Sequence, residues 1–302
     1  MKPATRSIPK LLIFRLALFL AAAASGASAF AQTSPAKAAP PPSRILLAIN
    51  EGGAANADAA ETLFKYQEFA ELVEKALHAQ VIVVAVRNPK KLRNALKNHE
   101  YPLLLARPND VPSEAIRDFG YQPIAMAKEP ALALFIVPKN STLKTIAEVK
   151  GKTIVTPDQY SNIWRVANAM LRDSKIIMAN EQVKAMRDQA AIGWSMENAF
   201  YDVGVINSVS PIGRSWEKNG GKVIARSRDL PNMPFIASPQ ITEEQILRVR
   251  AAVVALDSSD GGKAVLKKIG VPTGFRSADA RAFLDFLAWI GDLEAAKNAA
   301  QP

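Results

Sequence analysis

The chain has 302 residues, with 38 basic and 28 acidic side chains, a formal charge of +10, two histidines and no cysteine. Without cysteine there is no disulfide and no thiolate metal site, so stability rests on packing. The positive charge is spread along the chain and makes no basic run of the kind that marks a nucleic-acid partner.

Met1 to Ala31 reads as a secretory signal peptide. Lys2, Arg6, Lys10 and Arg15 make a basic start without an acid, Leu16 to Ala24 is an unbroken apolar run, and Ala29, Phe30 and Ala31 form a small-x-small cleavage site before Gln32. The alternative is an uncleaved anchor, but the apolar run is about half of the ~20 residues that a spanning helix needs. The expected product starts at Gln32, is exported, and is not inserted in the membrane after cleavage. Residues 32–43, QTSPAKAAPPPS, carry almost no bulky apolar side chain and read as a disordered linker.

From Arg44 onward strands and helices alternate. Ile45 to Ile49 predicts a strand, and Asn50 to Asp58 a polar loop. A helix is expected over about Ala60 to Leu77, with Leu63, Tyr66, Phe69, Val73 and Leu77 at helical spacing on its core face. Val81 to Val86 is wholly apolar and suits a strand covered on both faces. Pro89 opens a short helix with Leu92 and Leu96 inward. Strands follow at Leu103 to Ala106, Ile124 to Ala127 and Leu132 to Val137.

Thr145 and Glu148 match a capping box for a short helix that stops at Gly151. A strand at Thr153 to Val155, a helix from Asn162 to Leu171, and strands at Ile176 to Met178, Val203 to Ile206 and Val223 to Ala225 come next. Three helices close the chain, the first capped by Thr242 against Gln245, the second ending before Gly270, and the last capped by Ser277. This alternation predicts an α/β fold with mixed, mostly parallel sheets flanked by helices.

Several conspicuous residues read as structural. His78 at a helix end and His99 in a polar loop have no second histidine or cysteine beside them, so no metal site is expected. Trp194 and Trp289 fall on apolar helix faces and are assigned to the core; Trp216 sits in a helix before Gly220 and Gly221. Glu243 and Glu244 occupy a first helical turn, where the helix dipole favours acids.

Within Pro130 to Thr156, the run ALALFIVPKNSTLKTIAEVKGKTIV resembles the middle of periplasmic solute-binding proteins of ABC transporters. Within them it is most similar to the phosphate/phosphite/phosphonate-binding, type II group. The helix through Phe69 to Leu77, the strand entry Tyr201 to Ile206 and the segment Leu230 to Phe235 resemble the same family. The resemblance spans nearly all of Arg44 to Ile290. It implies a two-lobed, Venus-flytrap α/β fold, with lobe 1 from 44–130 and 231–302, lobe 2 from 131–230, and hinge crossings near Glu129 to Leu132 and Leu230 to Phe235. It also implies a small-molecule ligand held between the lobes, a transporter permease as partner, a monomer, and no cofactor. Phosphonate-binding relatives carry a Ser-Thr-Ser-Gly type cluster after the capping-box strand. Here that turn, Thr156 to Asn162, reads TPDQYSN, with Ser161 the hydroxyl in the comparable place and Asp158 an added negative charge.

In open α/β sheets ligands sit beyond the carboxyl ends of strands, which singles out four loops. Asn50 and Glu51 lead into Gly52 and Gly53, where glycine allows close backbone approach. Arg107 and Asn109 follow the strand Leu103 to Ala106, and Arg107 presents a planar fork for two-point binding of a carboxylate, sulfonate or phosphate, or else pairs with Asp110 or another acid. Gln159, Tyr160, Ser161 and Asn162 lie at a helix start, whose free N–H groups suit an anion, or serve only as a cap. Asn207 and Ser208 end a strand with small polar groups suited to a ligand or to an ordinary turn. Trp164 and Arg165 are read as core and surface.

No nucleophile elbow and no cysteine is present, so the chain carries no recognisable enzyme constellation. The expected function is capture of a small, anionic, phosphonate- or sulfonate-like solute for an ABC transporter. Two alternatives stay open: a ligand sensor acting on a membrane signalling partner, and a cationic or zwitterionic solute, which Glu51 and Asp158 would suit.

Overall fold

The computed structural model of the chain describes residues 44–52, 58–158, 161–177 and 182–291. The signal peptide, the linker, Gly53, Gln159, Tyr160 and Met178 lie outside them. The first run of elements is β1 (Arg44–Asn50), α1 (Ala59–Leu77), β2 (Gln80–Ala85), α2 (Pro89–Lys97), β3 (Leu103–Ala106), α3 (Asp110–Asp118) and β4 (Gln122–Ala127). The second is β5 (Ala133–Val137), a 3-10 turn at Ile146–Val149, β6 (Ile154–Pro157), α4 (Asn162–Asp173), β7 (Val183–Met186), α5 (Gln189–Glu197), β8 (Val203–Asn207), α6 (Pro211–Ser215) and β9 (Lys222–Arg226). The chain then forms β10 (Phe235–Ala237), α7 (Glu243–Val254), α8 (Asp260–Lys268), β11 (Phe275–Ser277) and α9 (Ala280–Ile290).

These strands make two sheets, a six-stranded one ordered β11-β4-β10-β3-β1-β2 and a five-stranded one ordered β7-β6-β8-β5-β9. In the first sheet β1 to β4 share one direction, and β10 lies reversed between β3 and β4. In the second, β6 to β9 share one direction, and β5 lies reversed between β8 and β9. Both sheets are therefore mixed. β5 and β10 are the strands the chain enters directly from the other sheet, without the helical crossover that parallel neighbours require; β11, also antiparallel to β4, follows α8.

Alternation along the strands builds a core on each face. Leu47, Ile49 and Phe235 pack against Tyr66, Phe69 and Val73 of α1, while Ala48, Leu104 and Ile236 face Leu92 and Leu96 of α2. Phe69 anchors the first of these, its ring 5.5 Å from Phe235 edge-on and 6.0 Å from Phe275. In the second sheet Ala133, Phe135 and Val137 face α4, and Leu134 and Ile136 face Ile192 and Met196 of α5.

Two segments join the sheets, residues 128–132 and 227–234. They run side by side: Ala131 donates to Leu230 O at 3.3 Å and Leu230 donates back to Ala131 O at 2.9 Å. The Asn232 side chain adds a 2.9 Å bond to Glu129 O. α9 is a further connection. Although it follows β11 of the first sheet, its Phe286, Leu287 and Ile290 pack into the core of the second. The same helix packs against α3 as well as α4, and so touches helices that flank both sheets.

Other expectations are corrected by position in the sheets. β2 is an edge strand and only half-buried, not covered on both faces. Leu63 is 42% exposed, because α1 turns Tyr66, Phe69 and Ala70 inward instead. No strand forms at Ile176 and Ile177, and Ile177 is 93% exposed; the edge strand of the second sheet is β7. Asp279, not Ser277, caps α9, since Ser277 belongs to β11. Trp194 is 58% exposed and stacks edge-on with Phe200 outside the core. Trp216 is core, its indole N–H donating to Lys222 O at 3.1 Å.

Candidate functional site

Parallel pairing of β1 with β3 sets Asn50 opposite Ala106, so the next residues on each strand, Glu51 and Arg107, meet although 56 positions apart. Arg107 Nε donates to Glu51 at 2.8 Å, and one Arg107 Nη donates to Ile269 O at 2.8 Å. Glu51 also accepts from Lys65 Nζ at 3.0 Å and from the Tyr66 hydroxyl, both on α1. Gly270 makes room for the guanidinium. At φ +75° it adopts a backbone that L side chains avoid, and a Cβ there would stand 2.6 Å from Arg107 Nη2.

Burial by itself would raise the Glu51 pKa, but Arg107 above all, then the Tyr66 hydrogen bond and Lys65, outweigh it and hold it below the usual carboxylate range. Burial, reinforced by the Glu51 charge, pushes the Tyr66 hydroxyl well above its ordinary value, so it stays protonated. Burial disfavours the Arg107 charge, and Glu51 more than compensates. The cluster thus holds two cations against one carboxylate. A cavity of about 10 Å³ lies beside it, lined by Ile49, Glu51, Gly52, Thr62, Ala85, Val86 and Arg87, room for about one water.

The other sequence candidates divide by the partners they find. Asn50 is structural: its amide donates to Val86 O at 2.8 Å and its oxygen accepts from Gly52 N at 3.0 Å. Ser161 caps α4, accepting from Trp164 N at 3.1 Å. Asn162, the first residue of α4, reaches across to the first sheet's half and donates to Asn109 Oδ1 at 2.9 Å. Asn109 in turn donates to Pro231 O at 2.8 Å, in the second connecting segment. Asn207 turns its oxygen to Val209 N at 3.1 Å, while its backbone donates to Gln189 Oε1 at 2.7 Å. Ser208 Oγ accepts from Leu132 N at 2.9 Å and so staples β8 to the first connecting segment. The α6 start is packed hard onto this turn, since a Cβ on Gly213 would lie 2.1 Å from Asn207 O.

Arg107 and Asn109 therefore stand on one side, and Ser161 and Asn162 on the other, joined through the Asn109–Asn162 bond. Gln159 and Tyr160 lie outside the described residues. Sequence reading missed Lys65, offered Asp110 as a partner of Arg107 where it pairs with Arg93 and Arg165, took Tyr66 as core alone, and took Arg165 as core or surface. Arg165 is fully buried and paired with Asp110 and Glu114. Its spacing, one helical turn after Ser161 on a helix that starts in the loop of interest, was the available signal. Among the described residues no group of three or more His, Asp or Glu is placed to hold a metal ion. Among them, too, no helix is long and apolar enough to cross a membrane. A groove of about 690 Å³ between α1, α7 and α8 includes none of the residues of these four loops in its lining.

A family model described as "ABC transporter, phosphonate, periplasmic substrate-binding protein" matches residues 52–283. Among solved structures, XAC2383 of Xanthomonas citri, bound to ATP, is similar with a TM-score of 0.67 at 11% identity, over 86% of this chain and 100% of that one. PhnD1 of Prochlorococcus marinus, in complex with methylphosphonate, gives 0.62 at 13% identity, over 82% of this chain and 97% of that one. The binding-protein component of a phosphonate ABC transporter from Pseudomonas aeruginosa gives 0.62 at 14% identity, over 86% and 89%. No curated protein sequence matches. At these identities the structural likeness establishes the fold.

Proposed function

The chain belongs to the phosphonate-binding family of periplasmic ABC-transporter substrate-binding proteins, and from that premise we propose that it captures a small oxyanion, phosphonate- or sulfonate-like, between its two halves. The halves act as lobes, 44–130 with most of 231–302, and 131–230, that rotate about the paired segments at Ala131 and Leu230. A few loop residues absorb such a rotation. The loaded monomer hands its solute to the permease.

One observation carries the anionic class. Glu51, the carboxylate of the first candidate loop, is held by Arg107, Lys65 and Tyr66. Its charge is more than cancelled by Arg107 and Lys65, so this loop presents net positive charge to an incoming ligand. From the second side the α4 start offers backbone N–H groups and the positive end of the helix dipole. PhnD1, similar in fold, was solved with methylphosphonate. A thermal-shift screen of the mature chain tests the reading. Methylphosphonate, phosphate, alkyl sulfonates and arginine are compared, and stabilisation by an oxyanion with none by arginine is expected. Stabilisation by arginine alone would favour a cationic or zwitterionic solute.

A further inference from the structure

We propose that Arg165 is a clasp that holds the two halves together when no ligand lies between them, and so sets how often they part. The inference rests on the reading that the halves move, and adds what restrains them.

Arg165 grows from α4, on the second sheet's half, and its side chain is 0% exposed. One Nη donates to Asp110 at 3.3 Å and to Glu114 at 3.2 Å, both on α3 of the other half. The second Nη donates to Gly291 O, at the end of α9, at 2.6 Å. Arg93 of α2 completes the group, with Nε 2.5 Å from Glu114 and Nη2 3.2 Å from Asp110.

Joined, the cluster balances two guanidinium groups against two carboxylates. Parted along the boundary between α3 and α4, it does not. The first half keeps two adjacent acids with one cation, and the second keeps Arg165 with a single carbonyl. In the joined form Asp110 (5% exposed) and Glu114 (14% exposed) are buried, so that form needs Arg165: without it two buried acids would share one cation, which disfavours keeping the halves joined. The Asn162–Asn109 bond lies beside this cluster and parts with it.

The clasp is reversible because it is imperfect. Arg165 Nε is buried and has no hydrogen-bond partner among the described residues. The joined form carries that unmet donor, and water satisfies it once the halves part. Ligand that enters only the parted form then binds in proportion to how much of it is populated.

The chain has no cysteine, so two can be introduced for spin labels without background. Exposed Lys97 on α2 and exposed Lys184 on β7 place one label on each half. Dipolar distance distributions are recorded on the mature chain without ligand, which makes the result independent of whether the solute is an oxyanion. The unaltered clasp should give one dominant distance. Arg165→Met, and separately Asp110→Asn with Glu114→Gln, should raise the ratio of parted to joined molecules by at least about tenfold. Arg165→Lys keeps the charge but loses the fork, and should give a smaller rise; it also serves if the methionine variant does not fold. An unchanged distribution in any folded variant of this set overturns the clasp, as does a wild-type chain already parted.

Discussion

Asn162 donates its side-chain amide to Asn109 Oδ1 across 2.9 Å, joining the first turns of two helices that grow from different sheets. Asn109 is buried and spends its own amide on Pro231 O at 2.8 Å, so one side chain ties α3, α4 and a connecting segment together. The two ends of this bond should not respond alike to truncation. Asn109→Ala strands a carbonyl and an amide at once and should lose about 1–3 kcal/mol, whereas half-buried Asn162→Ala should lose about 0.5–1.5 kcal/mol. Urea unfolding of both variants checks the order; equal losses would mean that the Pro231 bond contributes little.

How much of this was legible beforehand depended on whether a signal is local. The long strands and α1, α2, α4 and α7 announce themselves by periodicity and caps, as with Thr242 and Gln245, whose capping box forms. β10 and β11 are three residues each, too short for any alternation to show. α3 carries Pro112 in its first turn and a stripe of small residues, Ser113 and Ala115, so its buried face does not look hydrophobic. Pairings were the least visible. Glu51 with Arg107 and Asn109 with Asn162 stand more than fifty residues apart; strand order brings the first pair together and the apposition of the two halves the second. The partners that occupy the side chains of the four candidate loops leave no local signal.

Ser161 should be worth what a helix cap is worth. Its oxygen accepts from Trp164 N at 3.1 Å, so Ser161→Ala should destabilise by about 1 kcal/mol and Ser161→Gly by only a few tenths. Thermal unfolding of the two variants separates a cap from a ligand contact. If alanine and glycine are equally stable, the hydroxyl is not capping α4.

Acid should weaken the fold through Glu51. Its folded pKa is lowered, with burial opposing and Arg107, Tyr66 and Lys65 prevailing. Its contribution is therefore complete above the unfolded carboxylate value and is lost as pH falls through the folded one. Asp110 works the other way, because burial raises its pKa: its burial penalty is relieved on acidification. Denaturant midpoints from pH 7 down to about pH 3 should fall less steeply in Glu51→Gln than in wild type. A slope as steep in the variant would place the acid sensitivity elsewhere.

Processing is expected at the small-x-small site. N-terminal sequencing of exported material should read from Gln32 or a neighbouring residue, and recovery of an intact chain from Met1 in the membrane fraction would contradict a cleaved signal.

The most direct test of solute capture is calorimetric titration of the mature chain with the oxyanion that stabilises it best. Wild type should bind one equivalent saturably. Arg107→Ala, which removes one of the two cations balancing Glu51, should lose about 2–5 kcal/mol of affinity, and Glu51→Gln should bind at least as well as wild type. Binding that survives Arg107→Ala and collapses in Glu51→Gln, or saturable binding of arginine in place of any oxyanion, would contradict the account.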